Sequence, residues 1–131
     1  MPCNQSQAET KTVLVVEDEP RVRRFSCRLF ASLGYHVLEA ENADIAMGVL
    51  VDCHNEIDLL FSDIVMPGNS NGRDLGQHVQ ANYQNIEVLL TSGFEKTKPN
   101  SASGEGYKEL RVLKKPYSKE ELVSALGELS A

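Results

Sequence analysis

The sequence predicts an α/β fold in which one parallel sheet is covered by helices on both faces. Three observations carry this. Short apolar runs alternate with helix-spaced segments from Thr12 onward, the pattern of repeated strand–helix units. The runs are continuous rather than alternately apolar and polar, as expected of strands buried on both faces. Right-handed crossovers between parallel strands then bring the ends of the runs to a common edge of the sheet.

Met1 to Lys11 is polar and is expected to be a flexible lead-in (residues 1–11), leaving 12–131 as one domain. Thr12–Val16 is a short β-branched run and reads as the first strand. Pro20 sits at a suitable first helical position, where its missing N–H costs nothing. Val22, Phe25, Leu29 and Leu33 follow at helical spacing as an apolar face, and Gly34 is a natural stop. His36–Ala40 is a second strand, and Asn42 is placed to cap a helix carrying Ile45, Met47, Val49 and Leu50. Asp58–Ser62 reads as the third strand. The stretch from Pro67 to Gly72 is dense in turn formers, and a helix from about Arg73 to Asn82 puts Leu75 and Val79 on one face. Ile86–Leu90 and Val112–Lys114 read as the fourth and fifth strands. Ser118 with Glu121 three residues on is a capping-box pattern, opening a helix with Leu122, Val123, Leu126 and Leu129 as its apolar face. One helix is out of rhythm. Between Gly93 and Lys108, Pro99, Gly104 and Gly106 oppose a helix and no apolar stripe is present, so the fourth helix is expected to be short, irregular or missing.

At 131 residues the chain is long enough for a sizeable core, and 41% hydrophobic with 24% charged residues is ordinary for a globular domain. A net charge of -6 argues against direct nucleic-acid binding, which needs Lys and Arg against phosphates. Polar residues interrupt every apolar run, so no membrane span is expected. The first residues lack the apolar core of a signal peptide, and the cytoplasm is the expected location. Cys3, Cys27 and Cys53 are odd in number with no CxxC spacing; the last two read as half-buried helix cysteines and Cys3 as a tail residue. His36, His54 and His78 have no metal spacing and read as solvated or packing residues.

The chemistry lies at the run ends. Glu17 and Asp18 follow Val13–Val16, Asp63 follows Leu59–Ser62, Thr91 follows Val88–Leu90, and Lys115 follows Val112–Lys114. An α/β sheet binds ligands in the crevice at that edge. Three carboxylates crowded there repel strongly, and a hard divalent cation such as Mg²⁺ relieves the repulsion while bridging carboxylate to phosphate. Asp63 is the candidate nucleophile, since carboxylate attack on phosphorus yields an acyl phosphate. Thr91 and Lys115 supply a hydroxyl and an ammonium to a phosphoryl group. Pro116 restricts the backbone after Lys115 and, in either peptide isomer, fixes where the ammonium points. Each residue alone is a common surface charge, and Glu17-Asp18-Glu19 alone would suit a helix dipole. The joint pattern sets the reading.

The motifs Val-Leu-Val-Val-Glu-Asp-Glu-Pro at 13–20, Asp-Ile-Val-Met-Pro-Gly at 63–68, Leu-Leu-Thr-Ser-Gly at 89–93 and Lys-Lys-Pro-Tyr at 114–117 occur in order. Together they make the chain, over about Lys11 to Leu129, resemble the receiver domain of two-component response regulators. The resemblance implies a flavodoxin-like, doubly wound five-stranded parallel sheet in order 2-1-3-4-5. It implies that Glu17, Asp18 and Asp63, with the backbone carbonyl of Val65, hold Mg²⁺. It also implies that Asp63 takes a phosphoryl group from a histidine kinase or a histidine phosphotransfer protein. Thr91 would then be the switch hydroxyl and Lys115 its partner ammonium. A monomer or a weak phosphorylation-dependent dimer is expected, and a phosphoacceptor that assists its own phosphorylation rather than an enzyme. Three departures stand out: Val112 where the family has a rotating aromatic, the degraded fourth helix, and a loop after Met66-Pro67 that is one residue longer before Gly72. The stretch Leu-Leu-Thr-Ser-Gly-Phe and the irregular segment after it resemble receivers at the C-terminus of hybrid sensor kinases, a stand-alone receiver being the other expectation.

Arg21, Arg23, Arg24 and Arg28 crowd the first helix. The plain reading is a solvated face; the functional one, carried by Arg21, Arg24 and Arg28, is a docking surface for an acidic phosphodonor. Competing functions are weaker. A Mg²⁺-dependent phosphohydrolase of haloacid-dehalogenase type needs a second Asp two residues after the nucleophile, where this chain has Val65. A nucleotide-binding module lacks its glycine pattern, Gly104 and Gly106 being a fragment of it. A pseudo-receiver that is never phosphorylated would not need all five site residues.

Overall fold

The structure is a computed structural model that describes residues 10–65, 72–92 and 110–130. It contains β1 (Thr12–Val16), α1 (Pro20–Ser32), β2 (His36–Ala40), α2 (Ala43–Cys53), β3 (Leu59–Asp63), α3 (Gly72–Asn82), β4 (Glu87–Ser92), β5 (Arg111–Lys114) and α4 (Lys119–Ser130). The five strands form one sheet in the order β2-β1-β3-β4-β5. Every neighbouring pair is parallel. The doubly wound order expected from the resemblance is the order found. The expected lead-in up to Glu9, Cys3, the loop at 66–71 and the irregular fourth-helix segment at 93–109 lie outside the described residues.

The strands are continuous apolar runs because each alternate residue meets a different core. Leu14, Val16, Leu60, Val88 and Leu90 pack with Ala46, Leu50, Leu75 and Val79 of α2 and α3. Val13, Val15, Leu59, Phe61 and Leu89 pack on the opposite face with Phe30 of α1 and Leu122 of α4. Burying both faces removes the polar alternation that a one-sided sheet would show.

Helix ends follow their local chemistry. Pro20 is at the start of α1, and Gly34, at φ 94, follows its C-terminus in the left-handed region that favours glycine. Asn42 Oδ1 accepts the Ile45 N–H at 2.8 Å, capping α2. Ser118 and Glu121 make the reciprocal pair of a capping box, with Glu121 N–H donating to Ser118 Oγ at 3.0 Å and Ser118 N–H to Glu121 Oε1 at 2.9 Å.

The apolar faces differ from expectation at three positions. Phe25 is 52% exposed; the buried line of α1 runs through Ser26 and Phe30 instead. Ile45 is 43% exposed, because α2 meets the sheet through Ala43, Ala46 and Leu50, whose small members allow close approach. Val123 of α4 is exposed at 46%, while Leu122 is fully buried. The third strand is shifted by one residue from Asp58–Ser62 to Leu59–Asp63. Asp58 instead closes the opposite edge, its Oδ2 accepting the Thr12 N–H at 2.9 Å. Cys27 and Cys53 are half-buried free thiols, as expected. His54 stacks on Tyr83 with ring centroids 4.8 Å apart.

Candidate functional site

The strand register assembles the site. Asp63, the last residue of β3, lies beside Thr91 of β4, and Ser92 lies beside Lys114, the last residue of β5. Backbone bonds continue the ladder one residue past the strands: Glu17 N–H to Ala40 O at 3.1 Å, Ile64 N–H to Thr91 O at 2.9 Å and Lys115 N–H to Ser92 O at 2.8 Å. Four separate strand ends are thus held together on the edge where their side chains converge.

Lys115 Nζ lies 3.1 Å from Glu17 Oε1 and 3.5 Å from Asp63 Oδ1. Thr91 Oγ1 lies 3.5 Å from the same Asp63 oxygen. Glu17, Asp18 and Asp63 each present a carboxylate oxygen, all within 4.8 Å of one another. Glu17, Asp63 and Thr91 are buried and Asp18 is exposed.

Burial pushes the Asp63 carboxyl above the ordinary carboxylate range; Lys115 opposes this and Asp18 adds repulsion. Glu17 is likewise raised by burial, with Asp63 adding repulsion and the Glu19 N–H and Lys115 opposing. Burial alone would lower Lys115, but the charges of Asp63 and Glu17 outweigh it and raise its pKa. The three directions agree physically. One ammonium is shared among crowded acids, so it is held firmly protonated while the acids remain short of positive charge.

That shortage is the test of whether a cation fits. Three carboxylates within 4.8 Å of one another are an all-oxygen donor set, with no sulfur or imidazole in the cluster. Such a set suits a hard divalent ion rather than zinc or copper.

The remaining predicted residues lie on the segments that flank the cluster. Val65, expected to act through its backbone carbonyl, is two residues past Asp63, just beyond β3, and is 67% exposed as a residue. Pro116 is exposed, and the Lys115–Pro116 peptide bond is cis. Arg21, Arg24 and Arg28 are exposed on α1. Arg23 is different from its neighbours: Nη1 donates to the Glu17 carbonyl oxygen at 2.8 Å and Nε to Glu39 Oε1 at 3.1 Å. It therefore holds the peptide unit joining Glu17 to Asp18. Val112 is 42% exposed on β5.

Three further residues make contacts beside the site, and sequence reasoning assigned none of them a role there. Gly72, at the start of α3, lies against the Asp63 backbone, where a Cβ would collide with the Asp63 carbonyl. Nothing in the sequence separates it from an ordinary turn glycine. Ser26 and Tyr117 are both buried, and their hydroxyl oxygens are 3.0 Å apart across 91 residues of sequence. The signal for Ser26 was its place four residues before Phe30 on the inner line of α1; for Tyr117 it was adjacency to Lys115-Pro116.

Comparison with known proteins settles the family. Residues 13–127 match the family model described as the response regulator receiver domain. The chain belongs to the response regulator receiver domain family. This receiver is 31% identical over 123 residues to the sensor kinase CckA of Brucella abortus (strain 2308), covering 90% of the present chain and 12% of that protein. It is 28% identical to the response regulator receiver protein CpdR of the same organism, covering 91% of this chain and 96% of that one. The phosphate regulon transcriptional regulatory protein PhoB of Pseudomonas aeruginosa is 32% identical and covered over 50% of its length. The present chain thus spans half or less of two of these three relatives. Among solved structures, the receiver domain of the hybrid histidine kinase CckA superposes with a TM-score of 0.73 at 29% identity, covering 92% of this chain and 99% of that one. A response regulator receiver protein from Sinorhizobium medicae, at 19% identity and TM-score 0.76, shares the fold. Receiver domains belong to two-component signalling and interact with histidine kinases or phosphotransfer proteins. Among the described residues no helix is long and apolar enough to cross a membrane.

Proposed function

We propose that this receiver is the phosphoacceptor switch of a two-component phosphorelay, with Asp63 as the residue modified. The supporting observation is that a single Asp63 oxygen has both the Lys115 ammonium and the Thr91 hydroxyl at 3.5 Å, beside the acidic cluster. In the proposed step an Asp63 carboxylate oxygen attacks the phosphorus of a phosphohistidine on the donor. The new P–O bond forms as the P–N bond breaks, and the departing imidazole nitrogen takes up a proton. Lys115, held protonated, offsets charge on the phosphoryl oxygens, and Thr91 is in reach to donate a hydrogen bond to one of them. Glu17, Asp18 and Asp63, with the Val65 carbonyl, would hold Mg²⁺, which supplies charge neutralisation between carboxylate and phosphoryl oxygens. Engagement of Thr91 and Lys115 then favours one of two conformations of the domain.

The same reading gives the unit residues 12–131, a cytoplasmic setting, a monomer or weak phosphorylation-dependent dimer, and a donor that docks on the exposed arginines Arg21, Arg24 and Arg28. Incubation with Mg²⁺ and acetyl phosphate tests it. Intact-mass analysis should show a base-labile gain of one phosphoryl group, abolished in Asp63→Asn and strongly reduced when Mg²⁺ is chelated. Equal incorporation into Asp63→Asn would overturn the assignment.

A further inference from the structure

Lys115 is one residue of a turn, and something must hold that turn. Its start is fixed to the sheet by the Lys115 N–H bond to Ser92 O at 2.8 Å. Its other end is fixed by Tyr117. The Tyr117 ring meets Phe61 at 6.0 Å and 87°, and Phe61 is two residues before Asp63 on β3. It meets Phe25 of α1 at 6.1 Å and 49°. Its hydroxyl oxygen lies 3.0 Å from Ser26 Oγ, also on α1. α1 begins at Pro20, directly after Glu17, Asp18 and Glu19. The Ser26–Tyr117 bond therefore joins the helix that leads away from the acidic pair to the turn that carries the ammonium.

Packing alone does not ask for these two hydroxyls. Ser26 is 2% exposed and Tyr117 9%. Burying a hydroxyl is costly unless it is paired, so each of these groups is acceptable only because of the other. Alanine and phenylalanine at the two positions would fill nearly the same volume with no polar group to satisfy. What the bond adds is direction: it fixes the tilt of the ring and, through the backbone, the path of residues 115–117 relative to α1. The Tyr117 hydroxyl is itself sensitive to the site. Burial raises its pKa, while the Ser26 bond and the Lys115 charge act against that and Glu17 adds to it.

We propose that Ser26 and Tyr117 are positioning residues for Lys115, holding the ammonium where a phosphoryl group on Asp63 can reach it. The inference rests on the phosphoacceptor reading above and adds to it a pair on two elements, neither of which touches the reacting atoms. It also gives α1 a mechanical link to the switch that does not pass through position 112.

The test uses the full chain, with beryllofluoride as the phosphoryl mimic and Mg²⁺ as a separate ligand, each titrated calorimetrically alongside thermal unfolding. Four variants are compared with wild type: Tyr117→Phe, Ser26→Ala, Ser26→Thr and the double variant of the first two. The expected result is that the double variant unfolds within a few degrees of wild type, as paired removal of a buried hydrogen bond allows. Its affinity for beryllofluoride should fall by about threefold to tenfold, on the scale of one hydrogen bond. Mg²⁺ affinity should stay close to wild type. Ser26→Thr, which keeps a hydroxyl, should recover most of the loss. Wild-type beryllofluoride affinity in both Tyr117→Phe and the double variant would overturn the proposal. So would an equal loss of Mg²⁺ affinity, which would make the pair general scaffolding. Failure of wild type itself to bind beryllofluoride would bring down the phosphoacceptor reading, and this inference with it.

Discussion

Asp63 is held by its backbone as much as by its charge partners, and Gly72 is where that becomes testable. Because a Cβ at 72 would collide with the Asp63 carbonyl and with Ile64 Cα, Gly72→Ala must push β3 and α3 apart. The expected cost is about 1–3 kcal/mol, the usual range for overpacking, measured by urea denaturation, with a matching loss of acetyl phosphate reactivity. Val65 gives a prediction in the other direction. The residue is 67% exposed, and its apolar side chain cannot hold a water by hydrogen bonding. Val65→Asn supplies a carboxamide that can, so phosphorylated Val65→Asn should lose its phosphoryl group faster than wild type in a dephosphorylation time course. Cys27 gives a pH effect. Burial, then the charge of Glu39, push its thiol from an ordinary 9.0 up to about 11, against Arg23. Between those values the unfolded chain has released the proton and the folded chain retains it. The stabilisation present below pH 9 is therefore lost as pH rises through about 11. Cys27→Ala should flatten that part of the stability curve; an unchanged pH slope would show that Cys27 has no part in it.

α1 is the element on which sequence and structure differ most instructively. Hydrophobic spacing drew its inner face through Val22, Phe25, Leu29 and Leu33. Leu29 and Leu33 do pack against the core, but Phe25 is exposed and the fully buried residues of the helix are Ser26 and Phe30. A periodicity rule ranks apolar residues by bulk and does not know that the Ser26 hydroxyl will be satisfied from 91 residues away. The same limit hid Arg23 among four arginines of one helix. Its ion pair with Glu39, whose side chain is 57% exposed, contributes little. Its bond to the Glu17 carbonyl acts on the acidic pair itself. Arg23→Ala should therefore weaken Mg²⁺ binding by about tenfold, the scale of losing a residue that orients ligands, as read by calorimetry. Arg23→Lys should not restore it, since a point charge cannot span both acceptors. The helix starts and stops were legible because each is local: Pro20, Asn42 and Ser118 act within four residues of themselves.

For the whole molecule, the sheet order and the converging strand ends were readable because they follow from chain-wide rules. Continuous apolar runs require burial on both faces, and right-handed crossovers leave their C-terminal ends on one edge. That is why Glu17, Asp18, Asp63, Thr91 and Lys115 could be grouped before any contact was known. The contacts of Gly72, Ser26 and Tyr117 depend on how elements dock, which spacing does not report. The convergence also has a global consequence. Three crowded acids with one ammonium favour a state that gains a cation, so Mg²⁺ should raise the melting temperature of the wild type in proportion to the logarithm of its concentration above Kd. Asp18→Asn, which removes the exposed acid, should reduce that rise; an equal rise in Asp18→Asn would exclude Asp18 from the cation site. The buried hydroxyl pair, finally, constrains inheritance. Losing either oxygen alone strands the other away from water, whereas losing both spares the fold and costs only part of the phosphoryl affinity. Among descendants of this gene, positions 26 and 117 should therefore change in tandem, serine with tyrosine and alanine with phenylalanine, and lineages with a mismatched combination should be rare.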